Sequence, residues 1–308
     1  MKKVIAVILI LMMLLSALAA CNNEEEVDDT ALATNNESDS QSDTETKKST
    51  TKKESTKKES TKEETKKTYA ESTAGLSFEL DYDGKGYILT DIGNLKEIVI
   101  DGHNGLPVVA IGILDYFYEN KNITKITLGG EIDLPEERAF YNCTNLKTVI
   151  IKDTFTNIPP STFKNCTALK TVQIGNGVTT IGQSAFENCT ALETVQIGNG
   201  VTLIDKLAFN NCTSLKNLTL GNKVQTIEAC AFQKCSSLTS VVIPASAKLI
   251  REDSFGYCYN LTSAEFKDPN NWGPDVDNFD FTYDLTDKKH AAEILRCDGW
   301  IYEGFRKH

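Results

Sequence analysis

The sequence predicts a solenoid of stacked turns with short parallel β-strands over most of the chain. Seven phenylalanines recur every 23 residues, and cysteines and leucines recur in register with them. Each unit also contains a Val-x-Ile step or a close variant, in which apolar residues alternate as they do in a strand. A single unit has too few apolar residues to offset an ordering cost of about 1.5 kcal/mol per residue. The units must therefore stack to become stable.

The repeat is defined by columns of like residues that stay in register along the chain. Two of these columns are Phe117, Phe140, Phe163, Phe186, Phe209, Phe232 and Phe255, and Cys143, Cys166, Cys189, Cys212, Cys235 and Cys258. A Gly-Asn pair such as Gly175-Asn176 follows the strand step in the central units and predicts a turn. Because the apolar columns all point inward, the residues between them must point outward.

The unit at residues 181–192, with the sequence IGQSAFENCTAL, resembles the 23-residue BspA-like leucine-rich repeat of bacterial surface proteins. The resemblance covers residues 95–266 and implies a leucine-rich-repeat solenoid with about eight strands. An early unit that begins at Leu95 lies 28 residues from the next strand, so it contains a five-residue insertion. The resemblance further implies a role in cell-surface adhesion and protein binding, with no catalysis and no cofactor.

Residues 1–20 have the features of an export signal, with Lys2 and Lys3 followed by an apolar run. The end of this segment, Leu18-Ala19-Ala20-Cys21, resembles the lipobox of bacterial lipoproteins. That resemblance implies cleavage before Cys21, lipidation of its sulfur, and anchoring at the outer surface of the cell membrane. An uncleaved transmembrane helix over residues 4–20 is the alternative, although its 17 residues are at the short end of what spans a bilayer.

Residues 21–74 are expected to form a tether that begins with the lipidated Cys21. This segment contains almost no large apolar side chains, so it cannot bury enough surface to fold. Residues 22–45 carry nine acidic groups, whereas residues 46–68 carry nine lysines and four glutamates. The lysine-rich half suits contact with anionic lipid or wall polymer, and a solvated spacer is the alternative.

The two ends of the solenoid need caps, because an open end exposes core and strand edges. Residues 75–94 are predicted to form an N-terminal β-hairpin cap, with its turn at Asp83-Gly84. Residues 267–308 are predicted to form a C-terminal cap with one helix, beginning at Asp284 or Thr286. The apolar residues of this cap are Trp272, Trp300, Tyr302 and Phe305.

The cysteine column is expected to consist of packed, reduced thiols, with cross-links between neighbouring turns as the alternative. The states of Cys230 and Cys297, which lie outside the column, are left open. No metal site is predicted, since the cysteine spacing matches no zinc pattern and Asp275, Asp277 and Asp280 lack the spacing of a calcium loop. No motif of a hydrolase, a metalloprotease or a phosphate-binding loop occurs.

The candidate binding residues are the outward positions of the strands, which the solenoid would present on its concave face. They are Thr148, Ile150, Thr171, Gln173, Thr194, Gln196, Asn217, Thr219, Ser240 and Val242. The face is uncharged apart from Lys125 at one end and has no exposed aromatic residue, which favours a protein or peptide partner over a sugar. The alternative is a polar, solvent-exposed face that has no ligand.

Charge excludes a nucleic-acid partner, because residues 76–308 carry 21 basic and 29 acidic groups, a net charge of −8. The favoured function is therefore a surface-anchored binding or adhesion module. A structural envelope protein that contacts wall polymer is the second hypothesis. An enzyme with a site in residues 267–308 is the third, and the scarcity of histidine weighs against it.

Overall fold

The computed structural model describes residues 69–111, 117–132, 134, 138–274, 283–296 and 305–307. One helix, α1 (Lys288–Leu295), and nineteen strands lie within these ranges. The strands are β1 (Ser77–Leu80), β2 (Tyr87–Asp91), β3 (Glu97–Ile100), β4 (Gly102–His103), β5 (Leu106–Ile111), β6 (Lys125–Leu128), β7 (Thr148–Ile151), β8 (Asn157–Ile158), β9 (Thr171–Ile174), β10 (Thr180–Ile181), β11 (Thr194–Gln196), β12 (Leu203–Ile204), β13 (Asn217–Thr219), β14 (Thr226–Ile227), β15 (Ser240–Ile243), β16 (Leu249–Ile250), β17 (Ser263–Phe266), β18 (Trp272–Pro274) and β19 (Phe305–Lys307).

Two parallel sheets run along the repeat region. The longer strands β3, β6, β7, β9, β11 and β13 form one sheet in chain order, and β15 pairs with β17 in a separate two-stranded sheet. The two-residue strands β8, β10, β12, β14 and β16 belong to the second sheet, on the other side of each turn. Thr171 pairs with Thr148 and Thr194, one repeat away on each side, whereas Glu97 pairs with Lys125, 28 residues on. The early insertion is therefore accommodated without loss of strand pairing.

The core between the two sides is a continuous phenylalanine ladder. All seven column phenylalanines are at most 1% exposed, and neighbouring ring centroids from Phe140 to Phe255 lie 5.0–5.2 Å apart. Each ring thus packs against a ring from the turn before and a ring from the turn after. The prediction of a leucine-rich-repeat solenoid with parallel strands is confirmed. The solenoid is stable because each turn buries its apolar side chains against the adjacent turns.

The recurring Asn-Cys pair has a structural explanation. Asn142, Asn165, Asn188 and Asn211 have φ between 58° and 63°, a left-handed conformation that asparagine tolerates better than most residues. The amide of Asn188 donates to Oδ1 of Asn165 at 3.0 Å, and Asn211 repeats this contact with Asn188. The pair therefore turns the chain at each corner and connects one turn to the next.

The column cysteines are buried and free, so the alternative of cross-linked turns is wrong. Each thiol instead donates to the carbonyl oxygen of the phenylalanine in the preceding turn; for Cys189 and Phe163 the distance is 3.3 Å. Burial raises the pKa of the Cys189 thiol far above its usual range. The column cysteines are packed hydrophobes with a satisfied donor, and the raised pKa keeps Cys189 protonated and unreactive.

The N-terminal cap is a mixed four-stranded sheet that contains the predicted hairpin. β1 pairs antiparallel with β2, β2 pairs in parallel with β5, and β4 pairs antiparallel with β5. The turn between β1 and β2 includes Gly84, whose φ of 71° suits glycine.

The chain enters this cap along the edge of β3. Thr73 N donates to Val99 O at 2.9 Å, and Gly102 N donates to Ala70 O at 2.8 Å. The buried Asp101 carboxylate accepts from Gly130 N at 2.6 Å and pairs with Lys152. These contacts cover an edge of β3, the first long strand, that would otherwise be exposed.

The C-terminal cap contains one short helix. The helix buries Ala291, Ala292, Ile294 and Leu295. Its N-cap is Asp287, which accepts from two backbone amides of the first turn, rather than Asp284 or Thr286 as predicted. Asp284 instead accepts from Thr286 N at 3.0 Å in the preceding turn of chain. β19 pairs antiparallel with β16 and β18, and thereby covers the last short strand.

Cys230 is disulfide-bonded, which answers part of the open question about the cysteines outside the column. Because the six column thiols are free, its partner is not among them. Several sequence-based expectations concern positions outside the described residues, namely the signal, Cys21, most of the tether, Asp275, Asp277, Asp280, Cys297, Trp300 and Tyr302.

Candidate binding surface

The outward side chains of the long strands form a surface that we call the strand face, from β6 to β17. In β9, Val172 and Ile174 are buried, whereas Thr171 is half-buried and Gln173 is exposed. The same alternation holds in β7 and β15. All ten candidate residues lie on the five consecutive strands β7, β9, β11, β13 and β15, at the outward positions. Their role in binding remains a prediction.

Polar side chains on the strand face contact one another across turns. Gln173 Nε2 donates to Gln196 Oε1 at 3.2 Å, and Asn217 Nδ2 donates to Thr194 Oγ1 at 3.3 Å. An amide side chain has two donor hydrogens and two acceptor lone pairs, so these contacts leave Gln173 and Gln196 with unused capacity. The face can therefore offer both donors and acceptors, held in place by their neighbours.

Ion pairs flank this uncharged stretch at both ends. Near the first turn, Lys125 lies 3.9 Å from Glu97. At the last turn, the Glu265 carboxylate accepts hydrogen bonds from Lys267 and Lys288, which lower its pKa to about 2. Glu265 therefore stays ionised and paired in neutral solution. The outward positions on β7 to β15 carry no charge, although the exposed Lys170–Glu193 pair, 3.7 Å apart, lies immediately before β9 and β11.

The described residues contain no arrangement suited to metal chemistry. No group of three or more His, Cys, Asp or Glu side chains within these ranges is close enough to hold a metal ion. His103 is explained by packing, since its ring stacks on Phe78 at 4.6 Å. Within the described part of the chain, no helix is long and apolar enough to cross a membrane.

Sequence reasoning missed one irregularity of the strand face. Leu218 and Leu220, which occupy the Val and Ile positions of the strand step and were therefore expected to point inward, are only partly buried, and β13 and β15 belong to different sheets. A signal was available, because Pro244 occupies the position that Gly175, Gly198 and Gly221 occupy in the preceding turns. Proline lacks the N–H that a strand ladder needs.

Comparison with known proteins agrees with this architecture. The family model described as "BspA type Leucine rich repeat region" matches six copies over residues 94–216 and 185–275. A leucine-rich repeat protein from Bacteroides ovatus is 27% identical, with a TM-score of 0.50, and the match covers 62% of this chain and 51% of that one. The leucine-rich repeat protein of T. pallidum is 25% identical, with a TM-score of 0.46, over 62% of this chain and 80% of its own.

The chain spans about half the length of the Bacteroides ovatus protein. No curated protein matches it. The family model nevertheless covers more than half of the 308 residues, in the region where the structure shows stacked turns. The chain therefore belongs to the BspA-type leucine-rich-repeat family.

Proposed function

We propose that this protein is a lipid-anchored surface protein whose strand face binds a protein or peptide partner. The observation that carries the proposal is the neutral centre of that face. Threonine, glutamine, asparagine and serine side chains from consecutive strands project there in register, with ion pairs at both ends and one, Lys170–Glu193, immediately before β9 and β11. Solenoids of this kind are binding scaffolds rather than enzymes, and their stacked strands create extended binding surfaces.

The chemistry of the face favours a neutral polypeptide segment. A polypeptide supplies a donor and an acceptor at nearly every residue, which matches side chains that carry both. An anionic wall polymer would need basic groups, and the candidate residues on β7 to β15 include none. The structural envelope role remains the second candidate, supported by the lysine-rich residues 46–68.

Anchoring is supported by two independent features. The lipobox-like Leu18-Ala19-Ala20-Cys21 places a modifiable cysteine before a long polar segment. The disulfide at Cys230 is the kind of bond that persists in an oxidising compartment outside the cytoplasm. Both features support a location at the outer surface of the cell membrane, where many proteins of this family are found.

The binding proposal predicts that Gln173→Ala combined with Gln196→Ala weakens partner binding by about tenfold or more, because two side-chain hydrogen-bonding groups are lost. The probe is a phage-displayed library of random peptides, selected on the full chain. Affinities of the selected peptides would be measured by titration calorimetry for the original and the variant chain.

The matched control replaces two glutamines that are exposed but lie off the strand face, Gln183→Ala and Gln225→Ala. We expect this control to bind the selected peptides as the original chain does. Equal affinity of the Gln173/Gln196 variant, or an equal loss in the control, would contradict binding at the strand face.

A further inference from the structure

Two aromatic rings lie together at a corner of the solenoid, outside the strands. Tyr118 and Tyr141 each follow a phenylalanine of the buried column, Phe117 and Phe140. The two tyrosine rings are stacked, with centroids 5.3 Å apart and an angle of 8° between their planes. Tyr118 is 42% exposed, although the phenylalanine beside it is buried. No outward position on β7 to β15 is aromatic, so this corner offers a kind of contact that the strand face lacks.

Contacts from the neighbouring turn hold Tyr141 in place, and Tyr141 in turn supports Tyr118. Asn165 Nδ2 donates to the Tyr141 hydroxyl oxygen at 3.0 Å. The guanidinium carbon of Arg138 lies 5.8 Å from the centroid of the Tyr141 ring. Tyr118 is the first residue of its column and is the more exposed of the two tyrosines. The pair is therefore a fixed and partly open aromatic surface, which we call the tyrosine platform.

Polar groups border the tyrosine platform. Glu119 N donates to Tyr141 O at 2.8 Å, which fixes the backbone of Glu119 beside the two rings. Asn142 Nδ2 donates to Glu119 Oε1 at 3.1 Å. Within the described part of the chain, Glu119 forms no ion pair. Its carboxylate and the amide of Asn142 therefore keep hydrogen-bonding capacity for a ligand.

This combination of groups suits a neutral sugar. One face of a pyranose ring presents C–H bonds, whose small positive charge is attracted to the negative face of an aromatic ring. The hydroxyl groups at the edge of the sugar both donate and accept hydrogen bonds, and amide and carboxylate groups complement them. An acidic sugar would be repelled by the Glu119 carboxylate. A purely apolar ligand would desolvate that carboxylate without giving it a hydrogen bond.

We infer that the tyrosine platform, with Glu119 and Asn142 at its edge, is a binding site for a sugar ring of a neutral glycan. Tyr118 supplies the stacking surface, and the two polar side chains orient the sugar hydroxyls. The lack of an exposed aromatic residue argues against a sugar at the strand face, and the same criterion is met at this corner. The site is a second one, separate from the strand face and independent of the function proposed for it.

The test probes an array of defined neutral and uronic-acid oligosaccharides with the full chain. Neutral oligosaccharides should bind, and the tightest of them would be titrated by calorimetry. Tyr118→Ala removes the stacking surface and should weaken that affinity about tenfold or more. Tyr118→Phe keeps the ring and should bind within about threefold of the original chain. Glu119→Gln removes the like charge and should allow uronic-acid oligosaccharides to bind.

Two control variants separate this site from the rest of the surface. Tyr82→Ala removes a tyrosine that is fully exposed in the turn between β1 and β2, outside the tyrosine platform, and should leave oligosaccharide affinity unchanged. The Gln173/Gln196 variant should also bind the oligosaccharide as the original chain does. Failure of this site and failure of the strand face are therefore distinguishable.

Three results would overturn the inference. The first is an array on which no neutral oligosaccharide binds. The second is equal oligosaccharide affinity of Tyr118→Ala and the original chain. The third is a loss of binding to the library-selected peptides in Tyr118→Ala without any glycan bound, which would assign the tyrosine platform to a protein partner.

Discussion

Replacing Phe186 with alanine is expected to lower the free energy of unfolding by about 3–5 kcal/mol, the range for a large aromatic residue removed from a packed core. Phe186 is fully buried between Phe163 and Phe209, whose ring centroids lie 5.1 and 5.0 Å away. The truncation therefore opens a cavity that two other turns also line. Urea denaturation followed by circular dichroism measures the loss.

The control for this prediction is Tyr259→Ala, which removes an aromatic side chain that is 67% exposed. A change within about 0.5 kcal/mol is expected there, as for most surface positions. A loss below about 1 kcal/mol for Phe186→Ala would contradict a core shared between turns.

Replacing Cys21 with serine is expected to release the protein from the membrane. A serine hydroxyl cannot take the place of the thiol that accepts the diacylglycerol, so the acyl chains that anchor the protein would be lost. Buried acyl chains contribute about 0.8 kcal/mol per methylene, and stable anchoring takes two signals rather than one chain. Fractionation of cells, together with metabolic labelling by a fatty-acid analogue, measures both the location and the lipid.

The control here is Asn22→Ala, which changes the neighbouring residue outside the lipobox-like segment and should leave the protein labelled and in the membrane fraction. If Cys21→Ser stayed in the membrane fraction at full mass, residues 4–20 would be an uncleaved transmembrane helix. That result would contradict lipid anchoring.

The architecture could be predicted because one pattern determines it many times over. The 23-residue period sets the strand register. Every buried column has the same period, so one irregular turn does not change the register that the other turns predict. The Asn-Cys corner is an example. From the sequence, the stretch before each cysteine could be a turn or one turn of helix, and the structure adds a left-handed asparagine and a thiol bonded to the phenylalanine carbonyl.

Features that occur only once were harder to predict. The helix N-cap at Asp287 was missed because three neighbouring residues could each cap, and tertiary packing decides among them. The hydrogen bonds that attach residues 70–73 to the edge of β3 follow from long-range contacts that local composition does not encode. The break between β13 and β15 occurs in one turn only, and Pro244 was the single departure from the repeat that signalled it.

The most direct test of the central claim is to map where a selected peptide touches the full chain. A photo-cross-linking residue would be placed at position 173 or 242 on the strand face, and at position 183 or 225 away from it. The proposed function predicts peptide cross-links at positions 173 and 242 and none at positions 183 and 225. Cross-links confined to positions 183 and 225, or equal yields at all four, would show that the strand face is not the binding surface.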